Sequence, residues 1–93
     1  MVVGVVTWEL HLNGCRSLKD KRRVLKSLKD RLHRQYNISV AETNHQDRWQ
    51  RAELSGCVVS NERRHAESIL TAASLLVSRD AAARIIDSMT SFL

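Results

Sequence analysis

The chain has 93 residues, 43% hydrophobic but only 4% aromatic, with a formal net charge of +5. That length suits one domain around a modest core of Val, Leu, Ile and Ala, and no apolar run is long enough to span a bilayer. Cys15 and Cys57, the only two cysteines, belong to no CxxC or Cys/His cluster, which fits a reducing cytoplasm.

The opening Met1–Val6 is apolar, but no basic residue precedes it and Glu9 and His11 follow soon after, so it reads as a strand and not a signal peptide. Val6, Trp8, Leu10 and Leu12 alternate with Thr7, Glu9 and His11, the period of a half-buried strand. Asn13-Gly14 ends it. Cys15 precedes Arg16 and a helix start, a setting that lowers thiol pKa values, although no partner is present to make it a nucleophile. Ser17-Leu18-Lys19-Asp20 has capping-box spacing, with Ser17 as N-cap. Leu18, Leu25, Leu28, Leu32 and Tyr36 then form one helical stripe, and Asn37 closes the helix.

Ile38 and Val40 resume a period of two, and Asn44-His45-Gln46-Asp47-Arg48 reads as a turn. Ala52, Leu54, Gly56 and Val58 alternate with Arg51, Glu53, Ser55 and Cys57 in a third strand. Asn61 is the expected cap of a second helix, whose stripe is Ala66, Ile69, Leu70, Ala73, Leu76 and Val77. The stretch from Arg84 to Leu93 is predicted as a fourth strand. The order βαββαβ predicts one ferredoxin-like α+β domain over residues 1–93, a four-stranded antiparallel sheet with two helices on one face. That topology leaves the face with Thr7, Glu9, His11, Arg51, Glu53, Ser55 and Cys57 open. It also brings the start of the first helix and the 44–48 turn to the same end of the sheet.

Residues 16–34 hold nine basic and two acidic side chains, so they carry +7 while the other 74 residues carry −2. Basicity is therefore local to one helix. Arg16, Lys19, Arg23, Lys26 and Arg34 project opposite the leucine stripe, and Lys21, Arg22 and Lys29 flank it with stems that cover its rim. A solvated outer face would mix its charges more evenly; here only Arg16–Asp20, Lys26–Asp30 and Asp30–Arg34 have i,i+4 pairing. Uncompensated cations repel one another, which favours an anionic partner. Arg16, Lys19, Lys21, Arg22, Arg23 and Lys26 are the candidate phosphate contacts. RNA is the expected polyanion, but not through base stacking on the sheet, because the open face has no Phe, Tyr or Trp.

The segment His45, Asp47, Trp49, Gln50 and Arg51 is a second candidate surface, rich in interface-anchor residue types, although Trp49 could equally close the core. Glu42, His45 and Asp47 are metal-ligand residue types, but a strand and turn rarely converge that spacing, and no metal site or cofactor is expected. Asn13-Gly14-Cys15-Arg16 before a helix could hold a phosphate, as in acylphosphatase-like hydrolases. This loop has one Gly, however, and the third strand has no Asn. With no general acid–base pair, the reading is of a non-enzymatic module.

Ser17-Leu18-Lys19-Asp20-Lys21-Arg22-Arg23-Val24-Leu25-Lys26-Ser27-Leu28, Val40-Ala41-Glu42, His45-Gln46-Asp47, Trp49-Gln50-Arg51-Ala52-Glu53 and Val58-Val59-Ser60-Asn61 together resemble the YlxP-like family of small bacterial proteins. The C-terminal stretch from Ala81 resembles it less. The resemblance implies a ferredoxin-like fold and a bacterial, cytoplasmic protein. It also implies ribosomal association, since family members are often encoded beside a translation initiation factor and a ribosome-binding factor. A homodimer using the open sheet face is the alternative.

Overall fold

A computed structural model describes all 93 residues as β1 (Val2–Leu12), α1 (Leu18–Tyr36), β2 (Ser39–Asn44), β3 (Arg51–Ser60), α2 (Arg63–Ser78) and β4 (Ala83–Phe92). The strands form one sheet in the order β2-β3-β1-β4, with every neighbouring pair antiparallel. This is the ferredoxin-like α+β architecture predicted from the strand and helix periods.

Strand alternation decides which face the helices cover. Val6, Trp8, Leu10 and Leu12 of β1 and Ala52, Leu54 and Val58 of β3 share one phase and are buried. They join Leu25, Leu28 and Leu32 of α1 and Ala66, Leu70, Ala73 and Val77 of α2 in a single core. Trp8 is wholly enclosed and donates its indole N–H to Ser74 Oγ at 2.9 Å, so its one polar group is satisfied inside the core. Gly4 permits α2 to settle onto β1, because a Cβ there would lie 2.9 Å from Leu70 Cδ1.

The ends of α1 follow local chemistry. Ser17 Oγ accepts the Asp20 N–H at 3.1 Å, and Asn37 takes the left-handed conformation (φ 52°) that terminates a helix. The cap expected of Asn61 for α2 is corrected: Glu62 holds the N-cap position without a side-chain bond, and Ser60 Oγ accepts the Glu62 N–H at 3.1 Å. Strand β3 runs through Ser60, so the hydroxyl that reaches the helix start comes from the last strand residue. The C-terminal strand forms as predicted, with a bulge where β1 passes from Glu9 to Leu10. No helix is long and apolar enough to cross a membrane.

Candidate functional site

The stripe of α1 is interrupted at one position. Lys21 lies between Leu18 and Leu25 on the inward face and is 1% exposed. Its Nζ sits 2.7 Å from Glu42 Oε2 of β2 and donates to the His45 carbonyl at 2.5 Å. Glu42 Oε2 is itself buried and has no well-directed hydrogen bond, so the lysine charge is what compensates it. Lys21 is therefore withdrawn from the candidate phosphate contacts. Its ammonium is spent inside the protein, not at the rim of the stripe.

The carbonyl that receives Lys21 is aimed by an unusual backbone. His45 has φ 62°, a left-handed conformation that His adopts more readily than most residues but less readily than glycine. Its ring meets Glu9 of β1, with Nε2 3.0 Å from Oε2. Arg51 donates to that same oxygen from Nη2 at 2.7 Å and Nε at 3.1 Å. Partial burial pushes the Glu9 carboxyl up, but the bonds from Arg51 and His45 outweigh it and hold the group below the ordinary carboxylate range. Gln50 completes the attachment: its Nε2 donates to the Cys15 carbonyl at 3.2 Å, and its own carbonyl accepts the Leu12 N–H at 3.0 Å. The segment 45–50 is thus fastened both to the start of α1 and to the end of β1, and these two regions do share one end of the sheet.

This geometry divides the turn residues. His45, Gln50 and Arg51 hold the turn in place. Asp47, Arg48 and Trp49 point into solvent, and Trp49 is 53% exposed, so it does not close the core. Glu42 and His45 do not converge as metal ligands, since the first pairs with Lys21 beneath α1 and the second with Glu9 on the opposite, open face. The phosphate-loop reading meets an obstacle too. The Arg16 N–H donates to Asp20 Oδ2 at 3.1 Å, so a carboxylate already holds the helix N-terminus. Cys15 is buried, and burial, reinforced by Asp20, pushes its thiol up. That reverses the lowering expected from its place beside Arg16.

Arg16, Lys19, Arg22 and Arg23 are exposed, and none has a carboxylate within ion-pair distance. Lys26 contacts Asp30 at 2.8 Å in full solvent, a pair of little energetic weight although it draws the Asp30 carboxyl down. Arg31 leaves the surface charge by pairing with Asp80 after α2. Arg34, which the sequence places on the outer face but not among the candidate phosphate contacts, lines a shallow depression of about 390 Å³ along α1 with Arg23, Lys26, Ser27, Asp30 and Arg31. The 23, 26, 27, 30, 31, 34 spacing is the signal that could have found it. Arg48, beside Trp49 on the turn, was likewise left out.

A ferredoxin-like sheet with one basic helix, several of whose outer cations are unpaired, and a turn stitched to the start of that helix define the class of this domain. The chain belongs to the DUF503 family, described as a protein family of unknown function, whose model matches residues 3–90. The match extends through most of β4, including the stretch from Ala81 that resembled the family less. The chain is 35% identical over 69 residues to the uncharacterized protein YlxP of Bacillus subtilis (strain 168), covering 74% of this chain and 75% of that one. Two solved structures resemble it. One is a de novo designed protein with ferredoxin fold (TM-score 0.54, 17% identical, covering 99% of this chain and 84% of that one). The other is a mutant of SnoaB, a cofactor-independent oxygenase from Streptomyces nogalater (TM-score 0.51, 14% identical, covering 99% and 90%). At such identities the likeness speaks for the fold alone.

Proposed function

We propose that this domain is a non-enzymatic, cytoplasmic module that binds the phosphate backbone of RNA, on the ribosome or a ribosomal precursor, through the outer face of α1. One observation carries the reading: Lys19, Arg22 and Arg23 on α1, and Arg16 just before its N-cap, stand exposed and unpaired, while the other face of the helix is committed to the core. Such a row gains by releasing counterions from a polyanion. Lys26 and Arg34 extend the row, and Arg48 and Trp49 on the adjoining turn offer one further cation and a stacking surface. Contacts of this kind read phosphate position and duplex shape, not base sequence.

The test is co-sedimentation with ribosomal subunits at low salt, comparing wild type with Lys19/Arg23/Lys26→Glu. Lys21 is left intact, because reversing it would break the buried pair with Glu42. The wild type should sediment with subunits and lose affinity with added salt, log K falling against log salt by about 0.7–0.9 per phosphate neutralised. The triple variant should remain in the supernatant. Equal sedimentation of both proteins, or of neither, sinks the reading.

A further inference from the structure

We propose that β4 is the pairing edge of a two-fold homodimer, with Met89 facing its own copy across the axis and the two sheets joined into one of eight strands. The backbone identifies the free groups. Val3 and Leu93 exchange both main-chain hydrogen bonds, at 3.1 and 2.8 Å. An antiparallel ladder alternates from that pair, so Ser91, Met89 and Asp87 bond to β1, while the N–H and C=O of Ser88, Thr90 and Phe92 point outward. No strand receives them, since β4 ends the sheet. The Ser88 N–H is turned back onto Asp87 Oδ1 at 2.9 Å.

The two margins of the sheet differ. Both carry a bulge, but strand β2 has only six residues and its Glu42 is tied to Lys21. Strand β4 has ten residues and neither Pro nor Lys, the residues that commonly blunt an edge. Five of its seven exposed side chains are polar (Arg84, Asp87, Ser88, Thr90 and Ser91), and the other two are apolar: Met89 is 72% and Ile86 41% accessible. A groove of about 400 Å³ runs between α2 and β4, lined by Leu70, Thr71, Ser74, Thr90, Phe92 and Glu67, and a strand added at this edge would roof it.

Self-pairing allows few registers, because outward-pointing residues must face outward-pointing residues. An axis at Ser88 sets Met89 opposite Asp87 and Thr90 opposite Ile86. An axis at Thr90 sets Asp87 opposite Leu93 and Ser88 opposite Phe92. An axis at Met89 matches like with like: Met89 with Met89, Ser88 with Thr90, Ile86 with Phe92, and Ser91 with Asp87. In that register the Ser91 hydroxyl of the second copy takes over the Asp87 carboxylate and frees the Ser88 N–H for the Thr90 carbonyl opposite.

Sedimentation equilibrium of the full chain, from micromolar to millimolar, reads the mass directly. The expected result is a monomer–dimer equilibrium that Met89→Leu retains. Met89→Lys, which sets like charges face to face, should weaken it at least about tenfold. In a Cys57→Ser background, Met89→Cys should cross-link under mild oxidation, because residues in such a pair lie at about 4.5 Å between Cα atoms, within disulfide reach. Ser91→Cys should not. A monomer at every concentration overturns the proposal, as does a dimer indifferent to Met89→Lys. Preferential cross-linking of Ser88→Cys, Thr90→Cys or Ser91→Cys overturns it too. No arm involves nucleic acid, so the outcome is independent of the phosphate-binding reading.

Discussion

A lysine on the inner stripe of a helix must either carry its charge to a partner or be expelled from the core, and Lys21 does the former by reaching Glu42 and the His45 carbonyl. Lys21→Ala leaves the Glu42 oxygen buried without compensation. The expected loss is about 2 kcal/mol by urea unfolding, below the cost for a fully enclosed pair because Glu42 keeps 21% of its side chain exposed. Lys21→Met with Glu42→Leu should recover most of that loss, since an apolar pair needs no compensation. The burial of Lys21 was half legible in the sequence. Leu18, Leu25, Leu28 and Leu32 leave a vacancy at position 21, which the spacing alone could have assigned to the inner face. Its partner was not legible, because nothing local says that the end of β2 passes beneath that turn of α1.

At the level of elements, the turn 45–50 is held by side chains that reach across three strands and a helix, and Glu9 is the hub on the open face. Arg51 and His45 both bind it, while Glu53 and Asp87 lie directly across from it in the two ladders. Because Glu9 titrates lower in the folded protein than in the unfolded chain, its contribution to stability is complete above the ordinary carboxylate pKa of about 4 and vanishes as pH falls through the lower folded value. Glu9→Gln should therefore cost about 1–2 kcal/mol near pH 7. It should also flatten the decline of the urea midpoint below about pH 4, and parallel declines in both proteins would exclude this role. The strands themselves were readable because alternation of Val6, Trp8, Leu10 and Leu12 leaves one solution. The cap of α2 was not, since Ser60 and Asn61 are both good cap residues, yet the helix begins one residue later and leaves Glu62 at the N-cap with its N–H on Ser60 Oγ.

For the molecule as a whole, the strand order separates two kinds of surface. Helix α1 lies against β2, at one margin, with its cations outward, while the accessible apolar side chains of β4 occupy the other. Net charge was legible as a property of one helix, but the number of free cations was not. Removing Lys21 and Arg31 from the count required knowing that Glu42 and Asp80 come near. Should both proposals hold, pairing through β4 would carry a basic helix at each outer end of the joined sheet. Two phosphate-binding faces would then act as one bivalent ligand, with avidity set by their spacing.

The two indoles divide the molecule optically. Trp8 is sealed in the core against Ser74, while Trp49 stands half in solvent on the turn beside the basic helix. The native emission is therefore a sum of a blue-shifted, quencher-resistant component and a red-shifted, acrylamide-accessible one. Trp49→Phe should abolish acrylamide quenching of the folded protein and any response to added polyphosphate. The red shift on denaturation, which belongs to Trp8, should remain. The chain thus contains its own probe of folding and, separately, its own probe of the candidate surface, with no label attached.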